Sequence, residues 1–346
     1  MAAVLLAGVL AACGTSAPAV APSTTRTIVD SAGATVTVPT SVGRVADAWP
    51  AHNEVVAMLG AGRTMVGTVL TQKQLPWLYE VNPQLKAAPT VFTNSTADVE
   101  ALLAQRPDVV FLPQNSKVAD ALKGVSVPAV QLTFTDYEGL KKVVSLTGDI
   151  LGEDAPARAK DYNSYLDRNL RTVTDATTAV PDSARPKVLH VTSFDPLIVD
   201  GTDTIIDAWI KAGGGRNAAT VKGNGVQVGI EQVLSWNPDV VILGSTTLTD
   251  PKDPQSAVRT LLANPGWAGV NAIRNSTVIV NPVGAFYWDR YSAEGALQLL
   301  WVAKTLHPEL FPALDLVTET KAFYTRFFGY SLTDAQARAI LDARGP

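Results

Sequence analysis

The sequence predicts an α/β protein built from two similar lobes, each with a parallel sheet, bridged by one long helix. Three observations carry this. Short β-branched runs alternate with helically spaced segments from residue 26 onward, which is how strand–helix units of parallel sheets read. One phrase occurs twice, half a chain apart. A long helical tract lies between the two copies. The length of 346 residues also fits about two domains.

The expected strands are Thr35–Val38, Arg44–Ala48, Asp108–Leu112, Ala129–Leu132, Lys187–Thr192, Asp239–Leu243 and Thr277–Val280. Each is a short apolar run bounded by Pro, Gly, Asn or Asp. Apolar residues at i, i+3, i+4 predict helices over Glu54–Leu59 and Val99–Ala104. The repeat aligns residues 99–112 (VEALLAQRPDVVFL) with residues 230–243 (IEQVLSWNPDVVIL) without a gap. Glu100 maps to Glu231, Pro107 to Pro238 and Asp108 to Asp239. Each copy reads as a short helix, a proline that ends it, an aspartate, and a buried strand.

Between the copies, Tyr137–Leu151 has helical spacing and ends at Gly152, a natural C-terminal cap. A second helix should open near Asp154, with Pro156 in its first turn. Running to about Thr178, it would span about 36 Å at 1.5 Å per residue, enough to cross between lobes. The divisions expected are 1–12 as a leader, 13–25 as a tether, 26–136 as the first lobe, 137–180 as the helical connector and 181–346 as the second lobe.

Composition narrows the function. Hydrophobic residues make up 47% and charged residues 17%, with a net charge of −4. That balance excludes a disordered chain and offers no basic field for nucleic acid. One cysteine and three histidines exclude an internal disulfide and a Cys-based zinc site, and leave no His-rich metal centre. No nucleophile elbow, phosphate loop or His-Glu-x-x-His motif is present, so an enzyme is not expected.

The first residues, MAAVLLAGVLAAC, form an apolar run too short to span a bilayer, which takes about 20 residues. Cys13 follows Leu10-Ala11-Ala12 and precedes Gly14, which resembles a bacterial lipobox. That resemblance implies a lipidated Cys13 that anchors the chain outside the cell. No Lys or Arg precedes the run, so the true start is expected upstream. Residues 14–25, rich in Ala, Pro, Ser and Thr, read as a flexible tether.

Taken in order, these landmarks resemble the solute-binding lipoproteins of ABC importers, in the class that carries ferric siderophores, vitamin B12 and other metal chelates. The opening hairpin 27–39, the strand–helix segment 44–62, the two Glu…Pro-Asp phrases, Ala212–Asn217, and the close from Asn264 through Tyr287–Arg290 to Thr333 carry the resemblance. It implies two Rossmann-like lobes with a ligand cleft between them and little lobe movement. It also implies that Glu100 and Glu231 dock on a membrane permease served by an ATPase. Two carboxylates near helix N-termini also suit the helix dipole without any partner.

Ligands of open α/β sheets bind beyond the carboxyl ends of the strands. The loops expected there hold Trp49, His52 and Asn53, then Trp77 and Tyr79, Phe134, Phe194, and Tyr287, Trp288 and Arg290. Aromatic walls with a few placed polar groups suit a small molecule, and an Arg fork suits an anionic chelate. His52 is a candidate for ligand contact. No resident cofactor is expected, since the metal arrives inside the chelate. An iron–siderophore complex leads, with a corrinoid, haem or nickel chelate as alternatives in the same role. A surface adhesion or signalling protein on the same fold is the remoter reading. A monomer is expected.

Overall fold

The computed structural model describes residues 24–248, 252–290 and 292–346. The leader, Cys13 and most of the tether lie outside the described residues. Twelve strands are described in chain order. They are β1 Thr25–Val29, β2 Thr35–Pro39, β3 Val45–Asp47, β4 Met65–Thr68, β5 Val109–Pro113, β6 Ala129–Leu132, β7 Lys187–Phe194, β8 Leu197–Asp200, β9 Arg216–Asn217, β10 Val226–Gln227, β11 Val240–Leu243 and β12 Val278–Val280.

The first lobe holds a four-stranded sheet in the order β4-β3-β5-β6, all parallel. Its central strands are apolar and buried on both faces, as parallel sheets require. The hairpin β1–β2 docks beside it. Asp30 closes the hairpin by accepting from the Ala32 and Ala34 amides at 2.9 Å, and its second oxygen accepts from the Gln131 amide of β6 at 3.1 Å.

The second sheet runs β10-β8-β7-β11-β12, with β9 on β7. Here β7, β11 and β12 are parallel, but β8 pairs antiparallel with both β7 and β10. The sheet is therefore mixed, where the sequence pattern implies a parallel one. The reason is local: only Asp195 and Pro196 separate β7 from β8, and so short a link admits only a hairpin.

The repeat folds twice into the same unit. Helices Val99–Ala104 and Ile230–Trp236 precede β5 and β11. The residue before each proline, Arg106 or Asn237, takes a left-handed φ of 48° or 47°. The conserved-by-repeat aspartates then do identical work. The Asp108 carboxylate accepts from the Gly43 and Arg44 amides while its own amide donates to the Arg44 carbonyl. Asp239 makes the same reciprocal pair with Lys187. Each aspartate thus fastens the entry of the neighbouring strand, β3 or β7.

Helix Tyr137–Leu151 ends at Gly152, whose φ is 72°. The connector helix spans Ala155–Thr177. Asp154 precedes it but makes no side-chain cap, because its own backbone is already helical. The helix buries Ala155, Ala159, Tyr162, Leu166, Asn169, Val173 and Thr177, one stripe at helical period. That stripe lies along helix Gly295–Leu306: Tyr162 donates to the Ala293 carbonyl at 2.7 Å and Asn169 to the Ala296 carbonyl at 3.0 Å.

The chain's last part spans both lobes. Phe323, Phe327, Ala337 and Ile340 belong to the hydrophobic cluster that also holds the first-lobe core. Trp77 donates its indole N–H to the Arg344 carbonyl at 2.8 Å, and the Arg158 guanidinium bridges the Met58 and Phe327 carbonyls. The returning tail therefore packs on the first lobe and on the connector helix together.

Candidate functional site

The carboxyl ends of both parallel ladders converge where helix Pro50–Val56 of the first lobe meets segment 282–294. Two buried polar networks stand there, one per lobe. In the first lobe, Asp47 ends β3 with no exposed surface. Its carboxylate accepts from His52 Nδ1 at 2.7 Å and from the Trp49 amide at 2.9 Å. His52 Nε2 lies 2.8 Å from Thr147 Oγ1. A hydroxyl donates as well as accepts, so a neutral imidazole satisfies both partners. Burial pushes the Asp47 carboxyl up, with the His52 contact pulling against it.

In the second lobe, His190 of β7 has carboxylates on both sides. Its Nδ1 lies 2.8 Å from Asp200 Oδ2 and its Nε2 lies 2.9 Å from Asp289 Oδ2. A carboxylate only accepts, so both ring nitrogens must carry hydrogen. Burial opposes that charge, but the hydrogen bonds and charges of Asp200 and Asp289 hold the His190 pKa above its ordinary value. Asp200 also accepts from Arg290 Nη2 at 2.9 Å and from the Gly225 amide at 2.8 Å. Burial raises the Asp200 carboxyl, yet His190, Arg290 and Gly225 together hold it far below the usual carboxylate range. Gly244 packs on this group: a Cβ there would sit 2.9 Å from His190 Cε1 and 3.0 Å from Asp289 Oδ2. Arg290 keeps 20% of its side chain exposed, while Asp200 keeps none.

A third buried group ties the lobes at the floor. The Glu54 carboxyl accepts from the Ala293 amide at 2.9 Å. Glu294 accepts from Tyr324 OH at 2.5 Å and from the Phe286 amide at 2.8 Å. Both glutamates are fully buried. Burial pushes Glu54 well above the carboxylate range, reinforced by the Glu294 charge, and burial raises Glu294 to about 7.

The sequence-derived site residues divide sharply. Trp49, Phe194, Tyr287 and Arg290 are half-buried. Phe134 is buried with its ring 5.7 Å from Trp49. The others are buried and engaged within the protein. His52, at 1% exposure, has both ring nitrogens engaged inside the first lobe. Asn53 is buried, donating to the Trp49 carbonyl and accepting from Thr68 at 2.6 Å. Trp77 packs under the tail, Tyr79 donates to the Leu70 carbonyl, and Trp288 is 1% exposed. Sequence reasoning passed over Asp47, Asp200, Asp289, Glu54 and Glu294. The available signal was a lone acid closing an apolar run, as in Val45-Ala46-Asp47 and Leu197–Asp200.

Glu100 and Glu231 are exposed in the first turns of the two repeated helices. Neither caps its helix. Asp98 caps the first by accepting from the Ala101 amide at 2.9 Å, and the second starts at Gly229 with no side-chain cap. A separate polar groove of about 710 Å³ lies at the opposite, amino ends of the first-lobe strands, between Gly43 and Arg158. Within it Arg158 donates to backbone carbonyls and Arg326 pairs with Asp161, and Glu153 and Asp154 also line it. Among the described residues, no cluster of His, Cys, Asp and Glu has the makings of a metal site, and no helix is long and apolar enough to cross a membrane.

Two lobes with strand ends facing a shared cleft define a bilobal solute-binding protein. Residues 45–283 match the periplasmic binding protein family, and the chain belongs to it. It is similar to the molybdate-binding protein MolA of Haemophilus influenzae, 26% identical over 93% of this chain and 96% of that one. The structure of MolA bound to molybdate superposes with a TM-score of 0.78 at 22% identity, over 89% of this chain and 99% of MolA. An uncharacterized ABC transporter substrate-binding lipoprotein of Bacillus subtilis, YvrC, is 25% identical over 73% of this chain and 76% of its own. Helicobacter pylori CeuE in complex with nickel–histidine shares the fold, with a TM-score of 0.75 at 18% identity over 92% of this chain and 99% of CeuE. The chain is thus an extracytoplasmic substrate-binding protein of the ABC-transporter kind, and not an enzyme.

Proposed function

We propose that the cleft captures a small anionic solute that carries a metal, and that an oxyanion of the molybdate kind fits it best. The observation that carries this reading is Arg290, fixed by the buried Asp200 and still partly exposed between the lobes. A guanidinium held by a carboxylate keeps its planar fork in one orientation, and such a fork suits oxygen ligands. The relationship to MolA supports the same choice of solute. A second reading, an iron–siderophore or nickel chelate, is favoured by the half-buried rings of Trp49, Phe194 and Tyr287, which suit the flat organic parts of a chelate. In either case the metal comes with the ligand and no cofactor resides in the protein.

Delivery runs through Glu100 and Glu231. One exposed carboxylate stands in the same register on each lobe, which suits a two-point electrostatic contact with permease arginines. Cys13 anchors the monomer to the membrane, in keeping with the lipoprotein nature of YvrC. The test is a titration of the purified protein with molybdate, tungstate, ferric hydroxamate, ferric citrate, nickel–histidine, haem and cobalamin, followed by tryptophan fluorescence. Saturable quenching by molybdate and tungstate, lost in Arg290→Gln, is expected. Saturation by a chelate alone would select the second reading, and no response to any of them would overturn both.

A further inference from the structure

We propose that His190, Asp200 and Asp289 are positioning residues for the cleft arginine, and that the proton on His190 sets how strongly Arg290 attracts an anion. This deepens the proposed function and rests on Arg290 meeting the ligand. Asp200 Oδ2 accepts from His190 Nδ1 and from Arg290 Nη2 together, so one buried oxygen couples the imidazole to the guanidinium. The group contains two carboxylates and two basic side chains. With His190 protonated it is neutral overall. With His190 neutral, it carries one net negative charge beside the ligand.

The groups facing His190 come from three elements. Asp200 lies on β8, with Arg290 beyond it, and Asp289 lies on segment 282–290. Trp209, from helix Ile205–Ala212, meets the imidazole edge-on and brings no charge. Gly244 closes the remaining side. The proton is therefore held by the two carboxylates, in a setting with little screening by water. Anion binding should be strong while His190 is charged. It should weaken about tenfold or more once the added negative charge appears within several ångströms of the ligand. In the first lobe His52 has one carboxylate and one hydroxyl as partners, not two carboxylates.

The test uses NMR titration of the three histidines and of the Arg290 side chain in the intact protein. It is joined by molybdate calorimetry between about pH 6 and pH 9, where histidines titrate. His190 should keep the imidazolium shift to a pH above the ordinary histidine range. Asp289→Asn should move its midpoint down, and the Arg290 Nε–H signal should move with the same midpoint. Molybdate affinity should fall across that midpoint, and His190→Gln should bind weakly with a flat profile. A neutral His190 at about pH 6, or an Arg290 signal indifferent to it, overturns the proposal even in the absence of a ligand. If Arg290→Gln abolishes binding while His190→Gln and the pH profile change nothing, this inference fails and the function stands. If Arg290→Gln binds like the wild type, the reading of the site itself fails.

Discussion

Asp47 and His190 occupy the same position in the two lobes. Asp47 pairs with Phe111 of β5 and His190 with Ile242 of β11, and Phe111 and Ile242 are the same place in the repeated phrase. Each begins a buried Asp–His pair at the carboxyl end of its ladder. The chemistry then diverges. In the first lobe a hydroxyl, which can donate or accept, completes the pair. In the second a further carboxylate completes it and demands a charged histidine. One architecture thus carries a structural lock on one side and a charge-setting group on the other.

His52 should therefore matter for folding and not for binding. Its removal strands the Asp47 carboxylate in the core, and breaking a buried pair costs roughly 3–5 kcal/mol. His52→Ala should lose that much in urea denaturation, while the folded fraction binds the solute with unchanged affinity. Loss of affinity without loss of stability would return His52 to the ligand.

The two aspartates of the repeat should act alike. Asp108→Ala and Asp239→Ala each leave strand-entry amides without a partner, worth about 1–3 kcal/mol. The double variant should be additive, because the two sites lie in different sheets. Strong coupling measured in denaturation would mean that the lobes do not fold as separate layers.

Glu54 and Glu294 predict how stability depends on pH. A carboxyl whose folded pKa is raised favours the protonated folded state. Its contribution is complete below the unfolded value near 4.5 and is lost as pH rises through the folded value, about 7 for Glu294. That shift corresponds to roughly 3 kcal/mol. Thermal melts should fall as pH rises from about 5 to 8, and Glu54→Gln should flatten the decline. An unchanged slope in the variant would place the titration elsewhere.

Gly244→Ala should disturb the second lobe specifically. The added methyl would meet His190 and Asp289 at 2.9–3.0 Å, an overpacking cost of about 1–3 kcal/mol. The His190 resonance should shift with it. A variant as stable as the wild type with an unmoved resonance would show that the pocket yields.

Glu100→Lys with Glu231→Lys should abolish import in cells while leaving solute affinity intact in vitro, because both side chains are exposed in the first turns of their helices and take no part in the buried polar networks. Normal import would remove them from the docking surface.

Much of this was legible in the sequence. The helix Val99–Ala104, the helix Tyr137–Leu151 and the strand Ala129–Leu132 fall where periodicity and caps place them. Local pattern dictates such elements. The connector ends within a residue or so of its expected bounds, since Gly152 and Pro156 punctuate its start. The polar quartet was not legible, because Asp200 and Asp289 stand 10 and 99 residues from His190 and only the fold joins them. Nor can loop position alone show which aromatic rings face solvent. Trp49 and Trp77 both follow a strand, at or just inside the start of a short helix, yet the returning tail covers Trp77 while Trp49 stays half-buried.

The central claim is that an anionic, metal-bearing solute sits against Arg290 between the lobes. Crystals grown with molybdate and measured at the molybdenum edge would locate the metal directly. An anomalous peak within hydrogen-bonding reach of the Arg290 guanidinium, on the side facing Trp49, is the predicted result. A peak confined to the distant groove beside Arg158, or none in crystals from molybdate-saturated protein, would contradict it.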